Sequence, residues 1–450
     1  MDATAKIARF VAGARYEDLP AGAIQTAKTA IQDTAGVMLA GAKADAGAVA
    51  VRLAREEAAR PEATVVGQGL RSSAIQAAFA NGVAAHAEDF DWSFVLAGQP
   101  MAPIIPAVLA VAETMGASGQ QLIEAFAAGF EVTASLAVAV EDMGPWHANG
   151  LLGAFGAMAG CGKLWGLDEQ QLAMAIGITA SMASGLTANF GTMSKPLHVG
   201  LAARNGVHAA QLARAGFTAN AAVLELRNGF FAAHFPGSEI DSAPFDALGR
   251  EWALDQHGIR LKPYPCGGLT HSALYAVLEL RRQHGIAAED VEQVEVDVPA
   301  HTYQTIVFRV PETALQGKFS MPYLVARAIV DGTIVLGTFT EEAIRDPQVL
   351  ALLAKVTMRS NPELVHSADG SRPSIVSIRL CTGLTHTIPG RFAKGSPQLP
   401  MSDDEIEAKF RDCAAGVISD HACGQALAEL ASLEELANVA TLTQLLSGSP

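Results

Sequence analysis

The sequence lacks the patterns that would place it in the commonest metal, nucleotide and hydrolase classes. Its five cysteines, Cys161, Cys266, Cys381, Cys413 and Cys423, are odd in number and form no CxxC pair. That argues against a disulfide framework, a structural zinc site and a cysteine-ligated iron–sulfur cluster. There is no GKS or GKT to close a phosphate loop, no GxSxG, no HExxH and no EF-hand loop, so a nucleotide enzyme, a serine hydrolase and the familiar metal sites lack support. Basic excess is missing too: 31 Lys and Arg against 46 Asp and Glu leave a formal charge of −15. A nucleic-acid-binding surface needs the opposite balance. The start, Met1-Asp2-Ala3-Thr4-Ala5-Lys6, carries no basic segment leading into an apolar core, so no secretory signal is read and a cytoplasmic protein is expected. Gln170 to Ser194 is uncharged but rich in Gly, Ser, Thr and Asn, which favours a buried helix over a membrane span.

What is present is a large apolar chain. Half of its 450 residues are apolar, enough for two or three domains with substantial cores. Up to about residue 260 the apolar spacing is helical, as in Ile24, Ala27, Ile31 and Ala35 or Leu122, Ile123, Phe126 and Phe130. Gly150, Gly153, Gly156 and Gly160, with alanines between them, predict close helix–helix approach. After His271 the pattern changes. Val294, Val296 and Val298 alternate with polar residues, as do Val376, Ile378 and Leu380 before a Thr382-Gly383 turn and a return to Ile388. These predict antiparallel strands, with helices around Tyr323 to Asp331 and after Asp346-Pro347. The fold expected is mainly α with a smaller α+β domain: a helical domain over 1–261, an α+β lid over 262–397, and C-terminal helices over 398–450 that return to the first domain. A capping box, Ser402 to Glu405, opens that tail.

Two lysines precede prolines in similar strings. Lys195 lies in NFGTMSKPLH and Lys262 in LKPYPCGGLTH, each with a histidine, His198 or His271, at the start of a following helix. An ammonium beside a helix N-terminus attracts carboxylate or phosphate. Pro196 is expected in the first turn of its helix with Lys195 just outside it, and Thr270 is expected to cap the helix from His271. The string His86-Ala87-Glu88-Asp89-Phe90-Asp91 gathers carboxylates at a helix C-terminus, where the dipole disfavours them, so a site or a hydrogen-bonding role is needed to explain it. A metal site is a minor alternative. His147, in a loop before the glycine-rich helix, can act as acid or base near neutral pH or serve as a helix cap. Tyr323 reads as a phenol for the site or as a core aromatic.

The strings NGVAAHAEDFD, GLTANFGTMSKPLHVGLAARNGVHAAQLARAGFTA, LKPYPCGGLTH and KFSMPY, in this order, resemble the MmgE/PrpD family over essentially the full length. The resemblance implies a homodimer of subunits with a large helical domain and an α+β lid, acting on a small di- or tricarboxylate with neither metal nor organic cofactor. It carries catalytic positions onto Asp89, His147, Lys195, Lys262 and Tyr323, with Gln99, His198 and His271 as substrate-binding candidates. Gln99 departs from the pattern, standing where the family commonly has a histidine, and Trp92 replaces a frequent acidic residue. A glutamine hydrogen-bonds a carboxylate but shuttles no proton. Lys195 and Lys262 would bind carboxylates and stabilise enolate-like charge, or one would serve as base. Asp89 would orient a lysine or histidine, His147 would move a proton, and Tyr323 would reach in from the lid. Elimination of water ranks first, epimerisation second and decarboxylation third; a carboxylate binder without turnover is the reading from another class. No membrane partner is expected.

Overall fold

The computed structural model describes residues 2–94, 97–140, 142–256, 260–366 and 371–448. The chain is predominantly helical with a smaller mixed sheet toward its C-terminal part. It divides into two compact units, residues 1–259 with 406–450, and residues 260–405.

The first unit is a stack of apolar helices, including Ala21–Gly41, Ala74–Ala87, Met101–Met115, Gly119–Ala139, Gly153–Leu164 and Ser194–Arg214. Their starts are written locally. Ser73 accepts from the Gln76 amide, and Ser118 and Gln121 form a reciprocal capping box. Gly119–Ala139 is long and apolar enough to cross a membrane, yet 89% of its apolar window is buried inside the unit, as a core helix requires. The expected glycine contacts are present: a β-carbon on Gly156 would lie 2.7 Å from the Gly129 carbonyl oxygen, and one on Gly160 would lie 2.8 Å from that of Ala125.

One such crossing sets up the site. Helices Ala74–Ala87 and Ser194–Arg214 meet where Gly82 faces Gly200: a β-carbon on Gly82 would stand 3.0 Å from the Gly200 α-carbon, and one on Gly200 would stand 2.8 Å from the Phe79 carbonyl oxygen. Five residues beyond Gly82 the first helix ends. Five residues before Gly200 is Lys195, so the end of one helix meets the start of the other.

Three expectations for this unit need correction. The uncharged segment 170–194 is a helix only over Glu169–Ala180; from Ser181 it becomes turns with Gly185 and Gly191 at φ of 130° and 85°. Its Gly and Asn content wins over its apolarity. Lys195 lies inside its helix, which begins at Ser194: the clash before a proline disfavours helical geometry without forbidding it, and in the first turn Pro196 lacks only an N–H that no helix carbonyl accepts. Helices do not fill the unit either: β1 (Ala63–Val65) and β2 (Leu70–Ser72) form a small hairpin, too short for periodicity to reveal.

In the second unit a four-stranded sheet has the order β4-β3-β5-β6, with β3 Val291–Val298, β4 Val356–Ser360, β5 Ser374–Leu380 and β6 Thr385–Gly390. Strand β5 pairs antiparallel with β3, Val296 opposite Val376, and with β6 through a turn that uses Gly383 at φ 85°. Those three strands are antiparallel as expected; strand β4, which the sequence pattern did not mark, runs parallel to β3 after a helical crossover. Val294, Val296, Val376 and Ile378 face a core shared with Leu274, Val277 and Leu324 from helices His271–His284 and Met321–Asp331.

The tail begins with the capping box read from sequence, Ser402 N donating to Glu405 and Glu405 N to the Ser402 hydroxyl. Its helices Asp403–Ala414, Asp420–Ala431 and Ala440–Leu445 join the first unit through contacts such as Gly119 N to Leu436 O at 2.9 Å and Gly67 N to Leu446 O at 2.8 Å.

Gly200→Val tests the helix crossing. It should cost about 1–3 kcal/mol, because the new atoms meet backbone that cannot yield. Urea denaturation of both proteins measures this, and an unchanged midpoint would mean that the helices are not in close contact there.

Candidate active site

The polypeptide leaves helix Ala74–Ala87 through Asp89, a non-glycine residue at φ 53°. Aspartate tolerates this left-handed conformation better than most residues. The turn is held from beneath. The Lys409 ammonium, from the tail, donates to the Phe90 carbonyl at 2.8 Å, stands 4.0 Å from the Phe90 ring centroid and pairs with Asp33 at 2.6 Å. All three groups are buried or nearly so, and Trp92 behind them is fully buried against Phe130.

On the outer side of the turn Asp89 meets Lys195, Oδ1 to Nζ 2.7 Å, with side chains 13% and 17% exposed. A cation in the first turn of a helix opposes the dipole, and the carboxylate offsets that cost. The Phe190 ring lies 5.9 Å from the ammonium.

Histidines occupy the adjoining space. His147 precedes helix Ala148–Leu151 but caps nothing with its ring; its backbone N–H donates to Gly185 O at 2.9 Å. Its Nδ1 is 3.2 Å from the Nδ1 of His198, one turn along the helix from Lys195. The edge of Phe190 and the ring of His86 flank it at 4.9 and 5.5 Å between centroids. His86 in turn bonds Asp91, Nδ1 to Oδ2 2.8 Å.

Burial disfavours charge on all three rings. Burial first, then the neighbouring His86, Lys195 and His198, together push the pKa of His147 down to about 2 against the raising effect of Asp89. Burial likewise lowers His86 against the pull of Asp91, and lowers His198. Two neutral rings facing Nδ1 to Nδ1 share one proton between them. The ring that donates it presents a bare Nε2 and the ring that accepts it presents Nε2–H, so the pair offers one base and one donor. The roles exchange when the shared proton crosses as one ring gives up its Nε2 proton and the other gains one at Nε2.

Gln99 is bound to Asn149 twice. Its backbone N–H donates to Asn149 Oδ1 at 2.7 Å and its side-chain oxygen accepts from Asn149 Nδ2 at 2.9 Å. Gly98, at φ 70°, makes room, since a β-carbon there would be 2.6 Å from that amide oxygen.

The remaining candidates belong to the second unit. Lys262 is 7% exposed. Gly268 lies beside it and beside Arg372, for a β-carbon on Gly268 would be 4.0 Å from Lys262 Cε and 3.0 Å from the Arg372 guanidinium. His271 bonds the Cys266 carbonyl at 3.1 Å and packs against Tyr264, which ties down this loop. Thr270 precedes the helix as expected but does not cap it; its hydroxyl donates backward to Gly267 O at 2.8 Å. Tyr323 is fully buried, and its hydroxyl donates to the Thr338 carbonyl and accepts from Arg327. The core reading fits those surroundings.

Among the described residues no three His, Cys, Asp or Glu side chains are grouped to hold a metal ion. Sequence reasoning left His86, Asp91, Asn149, Arg372 and Lys409 out of the candidate set. The spacing of His86 and Asp91 around a helix end was a usable signal, whereas nothing local marks Lys409 or Arg372.

A helical unit with a lysine–aspartate pair beside uncharged imidazoles and an α+β unit with a buried lysine define a two-domain catalyst-like protein. Comparison with known families is consistent with this. The MmgE/PrpD N-terminal domain matches residues 5–243 and the MmgE/PrpD C-terminal domain matches residues 264–434; the chain belongs to the MmgE/PrpD family. It is 30% identical to a cis-aconitate decarboxylase of Homo sapiens, covering 99% of this chain and 94% of that protein. It is 26% identical to a cis-aconitate decarboxylase of Aspergillus terreus and 28% identical to the cis-aconitate decarboxylase-like protein oryM of Aspergillus oryzae, over 99% of this chain and 96% and 97% of theirs.

Because His147 takes a proton readily only when unfolded, acid favours the unfolded chain, and stability falls below about pH 6.5 by about 1.4 kcal/mol per pH unit for this residue. Glu131 acts in the opposite direction: burial raises its carboxyl to about 7 against the lowering effect of the Ala253 and Leu254 amides. The readout is therefore a difference. Urea midpoints at pH 7 and 5 should fall more for the wild type than for His147→Phe, and equal falls would show that His147 is not held neutral.

Proposed function

We propose that this protein is a lyase that breaks a bond next to a carboxylate in a small, unsaturated tricarboxylate of the cis-aconitate type, releasing CO2 without a metal or organic cofactor. The observation that carries the reading is the Asp89–Lys195 pair at 2.7 Å beside the uncharged His147–His198 pair. The resemblance to cis-aconitate decarboxylases over 99% of the chain moves decarboxylation ahead of dehydration, which led on family breadth alone.

In such a reaction the carbon–carbon bond to a carboxylate breaks, CO2 leaves, and the electron pair remains on the skeleton, spread over a neighbouring double bond and carboxylate. A proton then returns to carbon. The substrate is already an anion, so charge must be met by a fixed cation in poorly hydrated surroundings. Lys195 supplies that cation, and Asp89 holds its ammonium at one place. Whichever ring of the His147–His198 pair carries Nε2–H delivers that proton and takes the shared proton at its Nδ1, while the other ring regains a proton at its own Nε2 from water, so that both rings end neutral. Lys262 is proposed as a second carboxylate-binding cation, and His271 and Tyr323 as residues that fix its unit's local structure. Gln99 supplies amide donors for a substrate carboxylate, oriented by Asn149.

Epimerisation remains the second reading on one observation: Gln99 stands at a position where the family commonly has a proton-carrying histidine. A homodimer is inferred on family grounds, and sedimentation of the purified chain reads it directly.

Proton NMR of the purified protein with cis-aconitate in deuterated water tests the reading. A new alkene product that carries deuterium, with CO2 released, is the expected outcome. Deuterium exchange in succinate-like acids with no new skeleton would sink it in favour of epimerisation. Lys195→Met should lower kcat/KM by about a hundredfold or more while leaving the urea midpoint near that of the wild type. A protein that binds carboxylates without turnover would lose affinity alone.

A further inference from the structure

Behind His147 stands a histidine that the carried-over site does not include. His86 is 1% exposed and Asp91 wholly buried. Their contact, 2.8 Å from Nδ1 to Oδ2, fixes a tautomer, because an ionised carboxylate only accepts and the ring nitrogen facing it must carry the proton. The other nitrogen, Nε2, is buried and has no hydrogen-bond partner among the described residues. A buried nitrogen without a partner is costly, about 1–3 kcal/mol, so core stability alone is a poor account of this ring. Its place is informative: the His86 ring packs on that of His147 at 5.5 Å and 32°.

We propose that His86 and Asp91 are a positioning pair for His147, in which Asp91 fixes the ring of His86 and His86 fixes the plane of His147, keeping the Nδ1 of His147 on His198. The proposal rests on the reading that the His147–His198 pair exchanges a proton with substrate. His86 acts through His147 and is not itself a catalytic residue. The groups facing His147 from the elements around it are His86 from helix Ala74–Ala87, Asp89 from the turn, and Lys195 and His198 from helix Ser194–Arg214. A His147 ring free to turn would lose His198 and with it the complementary donor and acceptor.

Two measurements on the full chain test this. Histidine-selective nitrogen NMR at pH 7, with His86 assigned by its loss in His86→Gln, should report a neutral ring protonated at Nδ1. An imidazolium, or a ring protonated at Nε2, overturns the proposal whether or not any variant folds. Kinetics on cis-aconitate, or on whichever acid proves to be turned over, supply the second readout. His86→Gln and Asp91→Asn should lower kcat by about tenfold to a hundredfold with KM changed by less than about threefold. In His86→Gln the acid limb of kcat/KM should also move to higher pH, because a His147 ring free to turn is less fully withdrawn from water, and burial is the main cause that lowers it. A purely structural role would leave that limb in place for the folded fraction. His147→Gln separates the two levels. If it loses activity while His86→Gln and Asp91→Asn keep wild-type kcat and acid limb, the positioning pair alone is refuted. If His147→Gln keeps full activity, the reading of the site falls and the pair falls with it.

Discussion

Two helices can bring Asp89 to Lys195 because neither carries a side chain where they cross. Gly82 against Gly200 sets the separation of helices Ala74–Ala87 and Ser194–Arg214, and the polar groups at that end of the helices depend on it. The His86–Asp91 contact, the turn at Asp89, the first-turn lysine and His198 are all within a few residues of that crossing in sequence. Glycine weakens a helix by roughly 1 kcal/mol relative to alanine. Here that loss is set against precise placement, and the surrounding apolar helices supply the stability.

The electrostatic design follows from this packing. A chain with formal charge −15 repels polyanions at long range, so recognition of an acidic molecule must come from cations fixed at short range. Lys195 is fixed by its carboxylate partner and Lys409 by Asp33 and the Phe90 carbonyl. The imidazoles contribute no charge because burial withholds it. Proton-carrying groups are thus separated from charge-carrying ones, and the His147–His198 pair can complete an exchange of tautomers with no change in its net charge.

Much of this was legible in the sequence. Helical periodicity, the GxxGxxG-like spacing from Gly150, the Ser402–Glu405 capping box and the β5–β6 hairpin are local signals, and each is present in the structure. The errors arose where a tertiary partner decides the outcome. Lys195 was placed outside its helix because the residue before a proline avoids helical geometry, yet Pro196 at the third position permits it. Thr270 was assigned a cap that its hydroxyl does not make. The parallel pairing of β4 with β3 depends on a crossover of nearly sixty residues, which no window of sequence reports. Motif and chemistry both point to Asp89, His147 and Lys195, and these three stand near one another in the structure. Lys409, more than three hundred residues from Phe90, could not be found that way.

That distance has a consequence for the order in which the molecule is made. The turn bearing Asp89 is complete early in synthesis, but the ammonium that fastens it is among the last tenth of the chain to leave the ribosome. Until helix Asp403–Ala414 emerges, Asp33 has no Lys409 to neutralise it and the Phe90 carbonyl lacks its donor. A nascent or truncated chain can therefore build most of its helices while its acidic turn is still loose. The tail helix thus supplies to the Asp89 turn a contact that the N-terminal helices cannot make by themselves.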